Sequence, residues 1–138
     1  MSLPEDSLRK LAEADVFSVG DIYWLPEELL NYDSGKDGRF CLLVHIERGA
    51  NGAPVRAHFI VGSTKRGSKP ELLVAPNETD LRELTFFSFH SSSPVDIGTL
   101  RAEGKWRGRL DQSRQADIES AILTSNLGIL KKLRRGLA

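Results

Sequence analysis

Three polar residues stand where apolar runs begin or end. Arg39 opens the run Phe40-Cys41-Leu42-Leu43-Val44-His45-Ile46, and Ser63 and Thr64 close the run His58-Phe59-Ile60-Val61-Gly62, just ahead of the cationic stretch Lys65-Arg66-Gly67-Ser68-Lys69-Pro70. An arginine stays protonated near neutrality and grips a phosphate through two parallel N–H donors, which suits the extra negative charge of a pentacoordinate phosphorane. It makes a poor proton acceptor for the same reason. A threonine hydroxyl can donate to a nonbridging phosphate oxygen, and a well-placed donor of that kind is worth roughly a hundredfold to a thousandfold in rate. Lys65, Arg66 and Lys69 would steer a polyanionic backbone. The same residue types also have plain structural uses, since an arginine at a strand start is commonly solvated and a Ser-Thr pair at a strand end commonly caps a turn. Residue types alone leave both readings open.

Proton transfer has weaker candidates. Histidine as a residue type titrates near neutrality, which makes His58 a candidate, and Asp37 stands two residues before Arg39, yet a structural histidine and a turn aspartate are the favoured readings. Tyr23, Trp24 and Trp106 offer rings on which bases could stack, although aromatic residues in strands more often fill a core. His45, His58 and His90 show no metal-ligand spacing, and the single cysteine, Cys41, cannot complete a structural zinc site, so neither a metal nor a cofactor is expected. There is no Gly-x-x-x-x-Gly-Lys-Ser/Thr phosphate loop, no Gly-x-Gly-x-x-Gly turn and no Gly-x-Ser-x-Gly nucleophile turn. Nucleotide hydrolases, dinucleotide enzymes and α/β-hydrolases are therefore poor fits.

The elements that must position these residues are mostly strands. Gly20 to Leu25, Arg39 to Ile46 and His58 to Thr64 read as three strands, with Val55 to Val61 as the return from a turn. The second is apolar on both pleat faces, as a covered central strand would be. Gly49, Asn51, Gly52 and Pro54 mark a hairpin between the second and third. Glu71 to Ala75, Thr85 to His90 and Lys105 to Leu110 are further strand candidates, while Pro94 to Leu100 reads either way. Pro26 to Leu30 suits one helical turn, and residues 31–38 are rich in turn formers. Near-helical spacing of Leu3, Leu8, Leu11 and Ala12 predicts a helix at the N-terminus. At the other end Asp111 is a candidate N-cap, Ile118, Ala121, Ile122, Ile129 and Leu133 form a helical stripe, and Gly128 is expected to weaken or break it. Lys131, Lys132, Arg134 and Arg135 give that helix a basic end, which suits both its dipole and a polyanion.

A length of 138 residues fits one domain, 1–138, with residues 1–15 as an N-terminal helical extension. The fold expected is mainly β with added α: a small, strongly bent antiparallel barrel with helices packed outside. The 40% hydrophobic and 28% charged composition is that of an ordinary globular protein, and no apolar run approaches the ~20 residues of a bilayer span. With no signal-peptide pattern at Met1 to Asp6, a cytoplasmic, membrane-free protein is expected. Cys41, inside an apolar run, is expected to be buried. Net charge is zero, but residues 1–37 hold nine acids against three bases and residues 38–138 hold ten acids against sixteen bases. The basic part contains every candidate phosphate contact.

Gly20-Asp21-Ile22-Tyr23-Trp24 resembles the opening strand of the MazF/PemK toxin ribonucleases, Gly38-Arg39-Phe40-Cys41-Leu42-Leu43-Val44 is similar to their Arg-Pro-x-Val-Leu-Val strand, and Val61-Gly62-Ser63-Thr64 to their Val-Pro-x-Thr strand end. Gly104-Lys105-Trp106-Arg107-Gly108-Arg109-Leu110 and the helix from Asp117 to Leu130 resemble the closing strand and helix, so the likeness runs in order over residues 20–130. It departs at Phe40 and Gly62, which stand where the family has prolines, and over Thr85 to Leu100. The resemblance implies an SH3-like barrel, a homodimer, a cognate antitoxin partner, and metal-independent cleavage of single-stranded RNA to a cyclic phosphate and a free 5′-hydroxyl. It matches Arg39 to the catalytic arginine and Thr64 to the catalytic threonine, with Ser63 beside them. Lys65, Arg66, Lys69, Tyr23 and Trp24 are the residues expected to contact RNA. Competing expectations are a noncatalytic binding module on the same barrel, including a gyrase-inhibiting toxin of the CcdB type, and a degenerate member retained as a regulator.

Overall fold

The computed structural model of the chain describes residues 17–30, 35, 37–65, 71–79, 81–89, 91–125 and 127–134. The expected N-terminal helical extension, most of the turn-rich segment 31–38, and Arg66, Lys69 and His90 lie outside the described residues.

Seven antiparallel strands form one curled sheet. They are β1 (Asp21–Pro26), β2 (Gly38–Arg48), β3 (Pro54–Ser63), β4 (Glu71–Val74), β5 (Thr85–Ser88), β6 (Ser93–Asp96) and β7 (Lys105–Arg109), in the order β4-β5-β3-β2-β1-β7 with β6 also on β3. Ile22 lies opposite Leu42 and Trp24 opposite Phe40, while Cys41 lies opposite Val61. The curl comes from β3, which changes partner along its length. Arg56 to Phe59 pair with β6, and Gly62 and Ser63 pair with Phe87 and Phe86 of β5. Irregularities between Leu43 and His45 on β2 and between Ile22 and Tyr23 on β1 add local twist, as extra residues in a ladder do.

Because successive side chains leave opposite faces of a strand, β1 and β2 feed two cores. Ile22, Leu42 and Ile60 join Phe87, Phe89, Ile118, Ile122 and Leu130 on one face. Tyr23, Leu25, Cys41, Leu43 and Phe59 join Val95, Ile97 and Leu100 on the other. Each fully buried side chain of this size contributes about 1.5–3 kcal/mol, so the apolar runs are held by both layers. Cys41 is buried as expected, and burial pushes its thiol pKa far up.

The outer helices are short. The ambiguous stretch Pro94 to Leu100 divides into the end of β6 and helix α1 (Ile97–Glu103), which closes where the Gly104 N–H donates to the Leu100 carbonyl at 2.8 Å. At the C-terminus the single helix expected to fail at Gly128 is two, α2 (Gln115–Thr124) and α3 (Gly128–Arg134), and the break is at Ser125. The Ser125 hydroxyl donates to the Ile122 carbonyl at 2.6 Å and accepts from the Leu127 N–H at 3.2 Å, so a side chain competes with the helix for backbone partners. Gly128 opens the second helix instead of ending the first. Asp111 does cap, but it caps a 3-10 turn (Gln112–Arg114) by accepting from the Ser113 N–H. No helix among the described residues is long and apolar enough to cross a membrane.

Edge strand β7 is strapped to β1 by charge. The Asp21 carboxylate, with no exposed surface, accepts from Nε and Nη2 of Arg109 at 2.5 and 3.3 Å and from the Ser18 N–H at 2.9 Å. The strap fixes the β7 residues that border the site described next.

Candidate functional site

The end of the sheet where β2 begins and β3 stops holds the residues singled out above, and strand alternation sorts them onto two sides. Arg39 shares its face with buried Cys41 and Leu43 and is only 7% exposed. Its Nη2 donates to the Gly62 carbonyl at 2.8 Å, and its Nη1 lies 3.9 Å from the buried Glu27 carboxylate, which also accepts from the Gly35 N–H at 3.0 Å. The pairing of β2 with β3 runs as far as Cys41 opposite Val61, two residues from both Arg39 and Ser63. The arginine thus joins the start of β2 to the end of β3. Isolated buried charge is costly, so the carbonyl and the carboxylate are what make its burial tolerable.

Thr64 lies on the other side and is exposed. It borders a cavity of about 620 Å³ walled by apolar Phe40, Pro76 and Leu81, by Thr64, Thr79 and Thr85, and by Arg82, Glu83 and Arg107. Arg39 is not part of this wall. Ser63 is committed to a turn, its Oγ accepting from the Lys65 N–H at 3.1 Å, which is the structural use of a strand-end serine. Lys65 is exposed beside it. Arg39 therefore braces the end of β3 through the Gly62 carbonyl, while Thr64 borders the cavity together with Arg82 and Arg107.

The two aromatics of β1 part in the same way. Tyr23 is buried, with its ring edge-on to Phe59 at 5.8 Å, and burial together with the Asp21 carboxylate drives its hydroxyl pKa well up. It is a core residue and offers no ring to a base. Trp24 is half-buried on the face of Phe40, and the Lys105 ammonium sits 5.4 Å from its ring centroid, within range of a cation–π contact. A Cβ on Gly38 would lie 2.1 Å from the indole, so the bare backbone at Gly38 is what lets Trp24 lie flat over β2. Gly62 has the same purpose on β3, where an added Cβ would meet the Phe87 ring at 2.6 Å and the Thr85 methyl at 2.8 Å. Trp106 is 56% exposed on the opposite face.

His58 is buried, with Nε2 at 2.6 Å from a Glu47 carboxylate oxygen, and this contact holds the Glu47 pKa below the usual carboxylate range. Both are at the hairpin end of the sheet, away from Thr64. Among the described residues no three of His, Cys, Asp and Glu are grouped so as to hold a metal ion.

Residue patterns missed Lys105 and Arg107 of β7, Thr79, Arg82 and Glu83 between β4 and β5, and Thr85 at the start of β5. One signal was present: a short strand spelled Lys-Trp-Arg-Gly-Arg, in which alternate residues are cationic and a glycine marks an irregular ladder.

The class that fold and site define is a small, curled antiparallel barrel with outer helices and a cationic cavity at one end of its sheet. No family model matches the chain, and no curated protein matches it. The likeness to the MazF/PemK strands accordingly stands on the residues that carry it.

Proposed function

We propose that this chain binds single-stranded RNA at the cavity beside Thr64 and cleaves it without a metal ion, as a toxin-type endoribonuclease neutralised by a protein antitoxin. The observation that carries the reading is the cavity wall itself, where the threonine hydroxyl matched to the toxin ribonucleases shares a space with two guanidinium groups. The half-exposed indole of Trp24, flanked by Lys105, extends the same face with a stacking surface and a further cation.

In the reaction proposed, the ribose 2′-oxygen bonds to phosphorus as its proton leaves, and the P–O5′ bond breaks as the departing oxygen gains a proton. The products are a 2′,3′-cyclic phosphate and a 5′-hydroxyl, and no co-reactant is consumed. Thr64 donates to a nonbridging oxygen whose charge grows in the transition state. Arg39 acts one step back by holding the Gly62 carbonyl, two residues before Thr64, and so sets the end of β3. Purified protein incubated with a long single-stranded RNA in EDTA tests this. Cleavage that falls about a hundredfold or more in Thr64→Ala supports it, and a Thr64→Ala variant as fast as wild type refutes the site.

A second reading is a noncatalytic module that binds RNA or a protein target on the same barrel. It is favoured by the burial of Arg39, whose guanidinium faces the Gly62 carbonyl on the side away from Thr64. Under that reading RNA stays intact in every condition.

A further inference from the structure

Resting on the RNA-binding reading above, we propose that Arg107 is the guanidinium that grips a nucleotide phosphate in the cavity beside Thr64, with Arg82 as the second cation of the same site.

The backbone of β7 places it there. Ile22 pairs with Gly108 and Tyr23 with Trp106, so consecutive residues of β1 face residues two apart on β7, and Arg107 is the extra residue of a bulge. Gly108, next to it, has φ of +130°, a conformation that a side chain would strain, so the bulge depends on that glycine. Bulges re-aim a side chain relative to the regular alternation. Here Arg107 is turned into the wall that also holds Phe40 and Thr64. An ordinary edge strand could have kept an exposed arginine without this distortion.

The chemistry of the wall suits a phosphate ester better than a neutral or cationic ligand. Among the described residues the wall holds two guanidinium groups, Arg82 and Arg107, and one carboxylate, Glu83. Thr64 and Thr85 bring hydroxyls, and Thr79 brings an Oγ1 that is buried and meets no partner among the described residues, a deficit that an occupant of the cavity would relieve. Phe40, Pro76 and Leu81 supply an apolar side for a sugar or base. About 620 Å³ lies within the range of small-ligand sites and has room for one nucleotide unit. Lys105 and Trp24 lie on the adjoining strands of that face, so a chain leaving the cavity would cross a cation and a ring.

The phosphate could belong to an RNA strand or to a free nucleotide, and three probes separate these sources. Fluorescence anisotropy with a 2′-O-methyl decaribonucleotide, which cannot be cut by its own 2′-oxygen, reads strand binding, and titrations with a 5′-mononucleotide and with inorganic phosphate read the smaller ligands. Arg107→Gln should weaken the decamer by about tenfold and lower the slope of log affinity against log salt by about 0.7, the signature of one lost phosphate contact on a single strand. Arg82→Ala should weaken it less, and Arg48→Ala at the distant hairpin not at all. Mononucleotide binding as tight as the decamer would assign the site to free nucleotides, with the Arg107 role intact. Should RNA remain uncut while the decamer binds through Arg107, the cleavage reading falls and this site stands. An Arg107→Gln protein that melts like wild type and binds all three probes with unchanged affinity and salt slope overturns the proposal, as does a wild-type protein that binds none of them.

Discussion

Gly62→Ala tests the packing on which the site's geometry depends. The added Cβ would lie 2.6 Å from Cε1 of Phe87 and 2.8 Å from Cγ2 of Thr85, closer than such atoms pack, and Phe87 has no exposed surface into which to retreat. Overfilling a core in this way costs about 1–3 kcal/mol. The backbone at Gly62 is not in the left-handed region, so alanine is sterically allowed there and recovers about 0.4–1 kcal/mol by restricting the unfolded chain. The net loss expected is about 1–2 kcal/mol, or roughly 3–8 °C in Tm for a chain of this size. Thermal melts by circular dichroism would read it. A second variant isolates the cause: Phe87→Leu removes the ring atoms that collide, so the double variant should lose less than the two single losses combined. An unchanged or raised Tm in Gly62→Ala, or strict additivity with Phe87→Leu, would refute this account. The same reasoning makes Gly62→Pro, which introduces the residue usual in the MazF/PemK strand end, more damaging still, because proline also removes an N–H from a strand paired on both sides.

Asp21→Asn keeps the size of the side chain and loses the charge that holds Arg109, so it should cost about 1–3 kcal/mol in urea unfolding. The figure stays below that for a fully buried pair because Arg109 is 45% exposed and can turn to water. The pH dependence of stability should carry the mark of Glu47. Its pKa is lowered in the folded state by His58 first, so its contribution is complete above the unfolded value of about 4.3 and disappears as pH falls through the lower folded value. Glu47→Gln should flatten the loss of stability below about pH 4.5, and an unchanged acid limb would count against the pairing. Gly38→Ala, whose Cβ would overlap the Trp24 indole, should weaken binding of a single-stranded oligonucleotide by several-fold, since one base–aromatic stack is worth about 1–3 kcal/mol.

Much of the strand plan was legible because its signals are local. Gly20 to Leu25 became β1, the run apolar on both pleat faces became a central strand shared by two cores, and Asn51-Gly52 marked the hairpin. Where two local signals competed, reading the chain failed. Gly128 is the weakest helix former in the C-terminal segment, but Ser125 breaks the helix because its hydroxyl satisfies backbone groups on both sides, a matter of geometry that composition does not carry. The site shows the same limit at longer range. Arg39 and Thr64 sit at neighbouring strand ends, so proximity in the sheet was foreseeable, yet the period of two assigns them to opposite faces once the pairing of Cys41 with Val61 is known. Arg107 could not be placed from its strand alone, because a one-residue bulge decides which way it points. Tyr23 and Trp24, adjacent in the chain, divide between core and half-exposed face for the same reason.

In the proposed reaction the RNA is cut through the strand's own 2′-hydroxyl, and the ends of the products test that most directly. Purified protein is incubated in EDTA with a single-stranded RNA and with the same strand carrying 2′-deoxyribose at the cleaved position, and the fragments are resolved by mass. The account predicts fragments ending in a 2′,3′-cyclic phosphate and a 5′-hydroxyl from the all-ribose strand, and no cut at the substituted position. Intact RNA, or a cut that survives the 2′-deoxy substitution, would contradict it.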